Sequence, residues 1–169
     1  MKILALDVSF TSTGIAGSDG LLETRKLKGR GVKRLSDAGW MFLELASRYD
    51  VVVIEGYSYG SQGRAIVSIG ELGGVLRVEL YRAEIPVLEV PPSTLKKYAT
   101  GKGNAPKDAV LAAAIRRLEY GGHSSDEADA LWLLEIGRAI LGETHVTVPK
   151  THRRALEKLA VPKGVIVCS

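Results

Sequence analysis

"ILALDVSFTSTGIAGSDGLLETRKLKG" (Ile3–Gly29) decides the fold. Ile3–Leu6 is apolar and the run turns polar at Asp7, which reads as a buried strand over Ile3–Phe10. "TSTGIAGS" (Thr11–Ser18) is a short second strand, and "SDG" (Ser18–Gly20) is a hairpin signal. "LLETRKLKG" (Leu21–Gly29) forms a third strand that runs into the basic loop "KGRGVKR" (Lys28–Arg34). Three strands joined by turns this short predict an antiparallel meander.

Outward from the meander, "RLSDAGWMFLELASRY" (Arg34–Tyr49) carries apolar residues at helical spacing. Val51–Ile54 in "DVVVIEGYSYG" (Asp50–Gly60) is a continuous β-branched run ending at Glu55, as expected of a central parallel strand covered on both faces. "SIGELGGVLRVELYRAE" (Ser68–Glu84) is a helix with Gly70, Gly73 and Gly74 along it, which suggests a close-packed neighbour. "IPVLEVPP" (Ile85–Pro92) is a strand stopped by two prolines. Pro92–Leu118 splits at Gly101 and Gly103 into a short and a longer helix, and a further helix runs from the Ser124–Asp129 region to about Leu141. A short basic helix is expected around His152–Ala160. The order predicts an α/β layer fold with a five-stranded mixed sheet, three antiparallel strands and then two parallel ones, flanked by helices. Residues 1–144 form one domain, and 145–169 a basic C-terminal extension packed on it.

With 169 residues, 46% hydrophobic and 25% charged, the chain suits one core. Asp7 breaks the first apolar run after four residues, so no signal peptide is expected, and no stretch suits a membrane span. A cytoplasmic protein without membrane partners is the expectation. Cys168 is the only cysteine, which excludes an intrachain disulfide and a cysteine metal cluster. The formal charge of +4 leans toward an anionic partner, nucleic acid before membrane.

Four acids stand out. Asp7 and Glu55 each end a buried strand, where a charge needs a partner, a metal or solvent. In "HSSDEADALWLLEIG" (His123–Gly137), Asp126 and Asp129 are three apart and share one face of a helix's first turn. Taken singly, each has a plain structural reading: Asp7 a turn residue, Glu55 a strand end in water, the aspartates helix-dipole partners. Together, several converging carboxylates would repel one another and raise their pKa values unless they held a hard cation such as Mg²⁺ or Mn²⁺.

"ILALDVSFTSTGIA", "VVVIEGYSYG", "VPPSTLKKYATGKGNAPKDAV" and "SSDEADALWLLEIG" resemble, in order and spacing, the motifs of the RuvC-type Holliday junction resolvases of the RNase H-like (retroviral integrase) superfamily. The resemblance covers about Met1 to Leu141. It implies metal ligands at Asp7, Glu55, Asp126 and Asp129, with Glu127 at a non-ligand position. Lys107 falls on the family's active-site lysine at a helix start, where free N–H groups also favour phosphate. Gly101 and Gly103 would let a loop backbone approach DNA. The first motif departs from the family's proline-glycine form. The position of the family's junction-wedging aromatic is Ser58 here, flanked by Tyr57 and Tyr59, either of which could stack on a base. The divergence suggests a phage-type relative.

The resemblance further implies an endonuclease that resolves four-way junctions by paired symmetric nicks, using two Mg²⁺ or Mn²⁺ ions per active site. Paired nicks on a near-two-fold substrate call for a homodimer, with the glycine-bearing helix as its seam. Arg30, Lys33, Arg34, Lys96, Lys97 and Lys102 would hold the DNA backbone. Two other readings share these residues: another RNase H-like nuclease, of YqgF-type RNA processing or branched DNA, and an inactive junction-binding module. "TGKGNAPK" lacks the Gly-Lys-Ser/Thr end of a nucleotide-binding loop, which argues against an ATPase.

Overall fold

Residue parity along the two central strands sets the architecture. The computed structural model describes residues 1–9, 11–56 and 64–162, with the backbone alone over 64–69. Strand β1 (Ile3–Val8) pairs antiparallel with β2 (Ser12–Gly17), which pairs antiparallel with β3 (Leu22–Lys26). Strands β4 (Val51–Glu55) and β5 (Val87–Val90) run parallel to β1, giving the order β3-β2-β1-β4-β5. Ile3, Ala5, Val51 and Val53 face one apolar cluster, and Leu4, Leu6, Val52 and Ile54 face another. The sheet is therefore covered on both sides, which is why its central strands read as unbroken apolar runs.

Helices α1 (Gly31–Ala46) and α2 (Arg64–Arg82) cover the Leu4/Leu6 face. They approach closely at Gly39, where a Cβ would lie 2.8 Å from Val75 Cγ1. The opposite face carries α3 (Pro92–Thr100), α4 (Lys107–Arg117) and α5 (Ser125–Ile140). Trp132 of α5 ties these three together. Its ring meets Tyr98 of α3 edge-on at 6.0 Å between centroids, and its Nε1 donates to the Val110 carbonyl of α4 at 3.2 Å. Helix α5 lies directly on the sheet because glycine removes a side chain at each end of the contact. A Cβ at Gly14 of β2 would sit 2.0 Å from the Asp126 carbonyl oxygen, and one at Gly137 would sit 2.8 Å from Val53 Cγ2.

The tail folds back as α6 (Lys150–Arg153) and a 3₁₀ turn (Arg154–Lys158) against α3. Ala155, Leu156 and Leu159 join the α5-side cluster. Glu135, a buried acid on α5, accepts from the Thr144 hydroxyl and from the His145 N–H and so pins the start of the tail.

The elements occur in the expected order, with shifted ends. Helix α1 begins at Gly31 rather than Arg34, so half of the expected basic loop is helical. Its N-cap, Arg30, makes no side-chain cap, so the start carries no sequence signal. Its end comes at Ala46, and Tyr49 instead anchors a loop by donating to Asp19 at 2.9 Å. Helix α2 starts at Arg64 rather than Ser68.

Candidate active site

The parallel register of β1 and β4 steps from Ile3↔Val51 to Leu6↔Ile54, so the next step sets Asp7 beside Glu55. Both continue the parity of Ile3, Ala5, Val51 and Val53, and therefore face α5. On its other side Asp7 pairs with Gly14, the residue over which the backbone of Asp126 lies. One glycine thus brings the first turn of α5 down onto the strand that carries Asp7.

That first turn is tightly capped. Ser124 is the N-cap, and its Oγ accepts from the Glu127 N–H at 3.3 Å. Tyr120 completes the cap: its hydroxyl accepts from the Ser124 N–H at 3.1 Å and donates to Glu127 Oε2 at 2.7 Å. This is a capping box with a tyrosine hydroxyl inserted between its partners. Glu127 Oε1 accepts from Thr24 of β3 at 3.2 Å. Glu127 therefore points away from the other acids and ties α5 to the sheet edge. Asp126 turns toward the β1–β2 hairpin, where Ser12 Oγ donates to its Oδ2 at 2.5 Å. Ser9 organises that hairpin through the Ser12 backbone, in place of the family's proline-glycine turn.

Asp7, Glu55, Asp126 and Lys107 line one cleft of about 420 Å³, with Ser9, Ser12, Gly73 and Arg77. Lys107 opens α4 and places Nζ 3.8 Å from Asp129 Oδ2. Burial, then Glu55 and Asp129, hold the Asp7 carboxyl well above the usual carboxylate range. Burial first and Asp129 second push Glu55 up to about 7. Asp129 rises to about 6, chiefly by burial, against the opposing pull of Lys107. Lys96 of α3 also draws Glu55 and Asp129 toward ionisation, so it lies within electrostatic reach of the site.

A cluster of buried, mutually repelling carboxylates is the donor chemistry of a hard divalent cation, and the residues fit one in kind. As the side chains stand, no group of three His, Cys, Asp or Glu among the described residues is arranged to hold an ion. Asp126 is turned to Ser12 and Asp129 toward Lys107.

The remaining expected residues that the structure describes lie from the end of β3 into the start of α1, and on α3 and the loop after it. Strand β3 runs parallel to β1 across the meander, so the loop carrying Arg30 leaves the sheet on the same edge as Asp7. Lys33 is exposed and paired with Asp37 at 2.6 Å, and Arg34 is half-buried. Lys97 and Lys102 are exposed on α3 and the loop after it. Gly101 takes a left-handed φ of 87° as the C-cap of α3, and Gly103 fits against the Ser93 carbonyl. Tyr57 and Tyr59 lie outside the described residues.

Sequence reasoning missed Ser12, Gly14 and Tyr120. Gly14 had a signal, since glycine inside a strand marks a close backbone approach. The partnership of Ser12 with Asp126 spans 114 positions and had none.

A family model described as "Crossover junction endodeoxyribonuclease RuvC" matches residues 25–134, a segment holding Glu55, Lys107, Asp126 and Asp129 and beginning after Asp7. The crossover junction endodeoxyribonuclease RuvC of Synechococcus sp. (strain CC9311) is 29% identical over 153 residues, covering 78% of this chain and 94% of its own length. That of Carboxydothermus hydrogenoformans is 33% identical over 95 residues, covering 55% and 60%. Among solved structures, T. thermophilus RuvC in complex with Holliday junction substrate superposes with a TM-score of 0.68 at 21% identity, covering 87% of this chain and 99% of that one. The yeast mitochondrial Holliday junction resolvase Ydc2 gives 0.52 at 12%, covering 92% and 80%. These two likenesses speak for the fold, and the matching family model speaks for kinship: the chain belongs to the RuvC family of crossover junction endodeoxyribonucleases.

Proposed function

We propose that this protein is a divalent-metal-dependent endonuclease that resolves four-way DNA junctions by paired nicks. The observation that supports this most is the side-by-side placement of Asp7 and Glu55 beneath the helix turn carrying Asp126 and Asp129, with Lys107 beside them. Asp7, Glu55, Asp126 and Asp129 would hold Mg²⁺ or Mn²⁺, two ions per site. Bound there, the metal supplies Lewis-acid polarisation of the scissile phosphate and of the attacking water. The chain's own contributions are positional and electrostatic. Ser12 sets the rotamer of Asp126. Lys107 and the N–H groups opening α4 face developing negative charge on the phosphate oxygens. The Glu127–Tyr120–Thr24 bonds keep the α5 turn seated while the ligands work.

DNA would be held by Arg30, Lys33, Arg34, Lys96, Lys97 and Lys102, with Gly101 and Gly103 keeping the α3–α4 loop slim enough for close approach. Tyr57 and Tyr59 are the stacking candidates at the junction centre. A homodimer supplies two matched sites. Helix α2 offers a seam: Gly74, Val78 and Tyr81 share one side, Val78 is 47% and Tyr81 84% exposed, and a Cβ at Gly74 would meet nothing within 4 Å. Among the described residues no helix is long and apolar enough to cross a membrane. The reading places the protein in the cytoplasm, beside the DNA.

The test is cleavage of a synthetic four-way junction beside linear duplex and structured RNA, with Mg²⁺ or Mn²⁺. Preferential cutting of the junction is expected. Equal cutting of all three substrates would favour a general RNase H-like nuclease, and no cutting under any divalent metal would favour an inactive binding module.

A further inference from the structure

The C-terminal segment has a built position and an unspent charge. Its inner side packs on the core through half-buried Ala155, Leu156 and Leu159, and His152 beside them is buried, 8% exposed. His152 Nδ1 lies 2.9 Å from the Tyr98 carbonyl on α3, and its ring presses on Gly101, where a Cβ would sit 2.7 Å from Nε2. The tail is thereby braced against the Gly101–Gly103 loop.

Its outer side carries Lys150, Arg153, Arg154 and Lys158, against one acid, Glu157. Lys150, Arg153 and Lys158 are exposed, and Arg154 opens the 3₁₀ turn between them. These four outweigh Glu157 by three charges, in a chain whose whole net charge is +4. Among the described residues none of the four pairs with an acid, whereas Arg25, Lys33, Arg48, Arg77, Arg82 and Arg138 all do. Lys97 and Lys102, on the elements that the tail braces, are likewise without an acidic partner among the described residues. Lys107 and Lys96 act on the carboxylates of the cleft, Lys97 follows Lys96 on α3, Lys102 follows Gly101 in the loop on which His152 presses, and the tail packs against α3.

We propose that the α6–3₁₀ segment is a second DNA-binding surface, which grips the phosphate backbone of a duplex arm leading away from the cleft, without reading sequence. The proposal rests on the junction-nuclease reading above. Exposed cations without acidic partners on an element packed against α3 match a polyphosphate, because each phosphate neutralised releases condensed counterions; Arg153 meets only the Val148 carbonyl, at 3.4 Å.

The experiment uses the full chain with Lys150, Arg153, Arg154 and Lys158 all changed to Gln. Affinity for a long-armed four-way junction is measured across a salt series, and single-turnover cleavage is followed at saturating enzyme. The control is Arg48→Gln, just past the end of α1 on the opposite edge of the sheet and already paired with Glu44 at 3.4 Å. The quadruple variant should melt like the wild type. It should bind roughly tenfold or more weakly near 0.15 M salt, with the log–log salt slope reduced by about 2 to 3.5, at about 0.9 for each phosphate left without its cation. Its cleavage rate at saturation should match the wild type, and Arg48→Gln should alter nothing. A wild type that binds the junction while the variant keeps the same slope would overturn this proposal alone. A wild type without junction preference would overturn the nuclease reading and this proposal together.

Discussion

At the residue scale, the site separates acids by what each touches. Asp7 of β1 and Glu55 of β4 face the first turn of α5, which carries Asp126 and Asp129, whereas Glu127 is committed to Thr24 and Tyr120. Asn or Gln at any of the four should reduce metal-dependent cleavage by roughly a thousandfold while junction binding survives, on the scale expected when a reacting centre loses a key charge. Glu127→Gln retains an acceptor for Thr24 and should leave cleavage within a few-fold, read in the same assay. The raised acids also make a stability claim. In the unfolded chain Glu55 and Asp129 ionise near pH 4, and in the folded chain at about 7 and about 6, mainly because they are buried. Between those values the folded state binds more protons, so the metal-free protein loses stability as pH rises from about 4 to about 7. In EDTA, Glu55→Gln should therefore melt several degrees higher than the wild type at pH 8, by on the order of 1–3 kcal/mol, and no higher at pH 4. Mg²⁺ should raise the melting temperature of the wild type at pH 8 and leave that of the variant nearly unchanged.

At the element scale, the site depends on how closely α5 lies on β2. A methyl group at Gly14 would meet the Asp126 carbonyl at 2.0 Å, which only backbone movement can relieve. Gly14→Ala should destabilise the fold by about 1–3 kcal/mol, as overpacking does, and abolish cleavage by lifting the α5 turn off Asp7; melting and cleavage measured together check this. Tyr120→Phe should lower the stability measured by urea unfolding by about 1 kcal/mol, through the missing cap bonds. The elements themselves were legible, because the apolar-to-polar switch in β1 and the β-branched run of β4 are local patterns. So was the pairing of Asp126 with Asp129, since three residues nearly complete a helical turn. Contacts between elements were not legible. The bond from Ser12 to Asp126 and the brace of His152 on Gly101 join residues that only the fold brings together. The start of α1 was missed for a different reason: the helix is held by packing of Ala38 and Phe42, and no capping side chain marks where it begins.

At the scale of the whole molecule, the candidate active-site residues gather on one edge of the sheet. The C-terminal ends of β1, β4 and β5, the β1–β2 hairpin and the first turns of α4 and α5 meet there, and the opposite edge carries the β2–β3 hairpin and Arg48. In the proposed dimer two such edges would act on one junction, joined by the α2 stripe. Tyr81→Asp with Val78→Asp should leave the fold intact, shift the protein to monomer by sedimentation, and uncouple the two nicks. The most direct measurement is single-turnover cleavage of a four-way junction in Mg²⁺, mapping nicks on all four strands for the wild type and for Asp7→Asn. Metal-dependent resolution at the Asp7 site predicts paired nicks at symmetry-related positions on two opposing strands for the wild type, and a bound but uncut junction for Asp7→Asn. Cleavage by Asp7→Asn at the wild-type rate would contradict it.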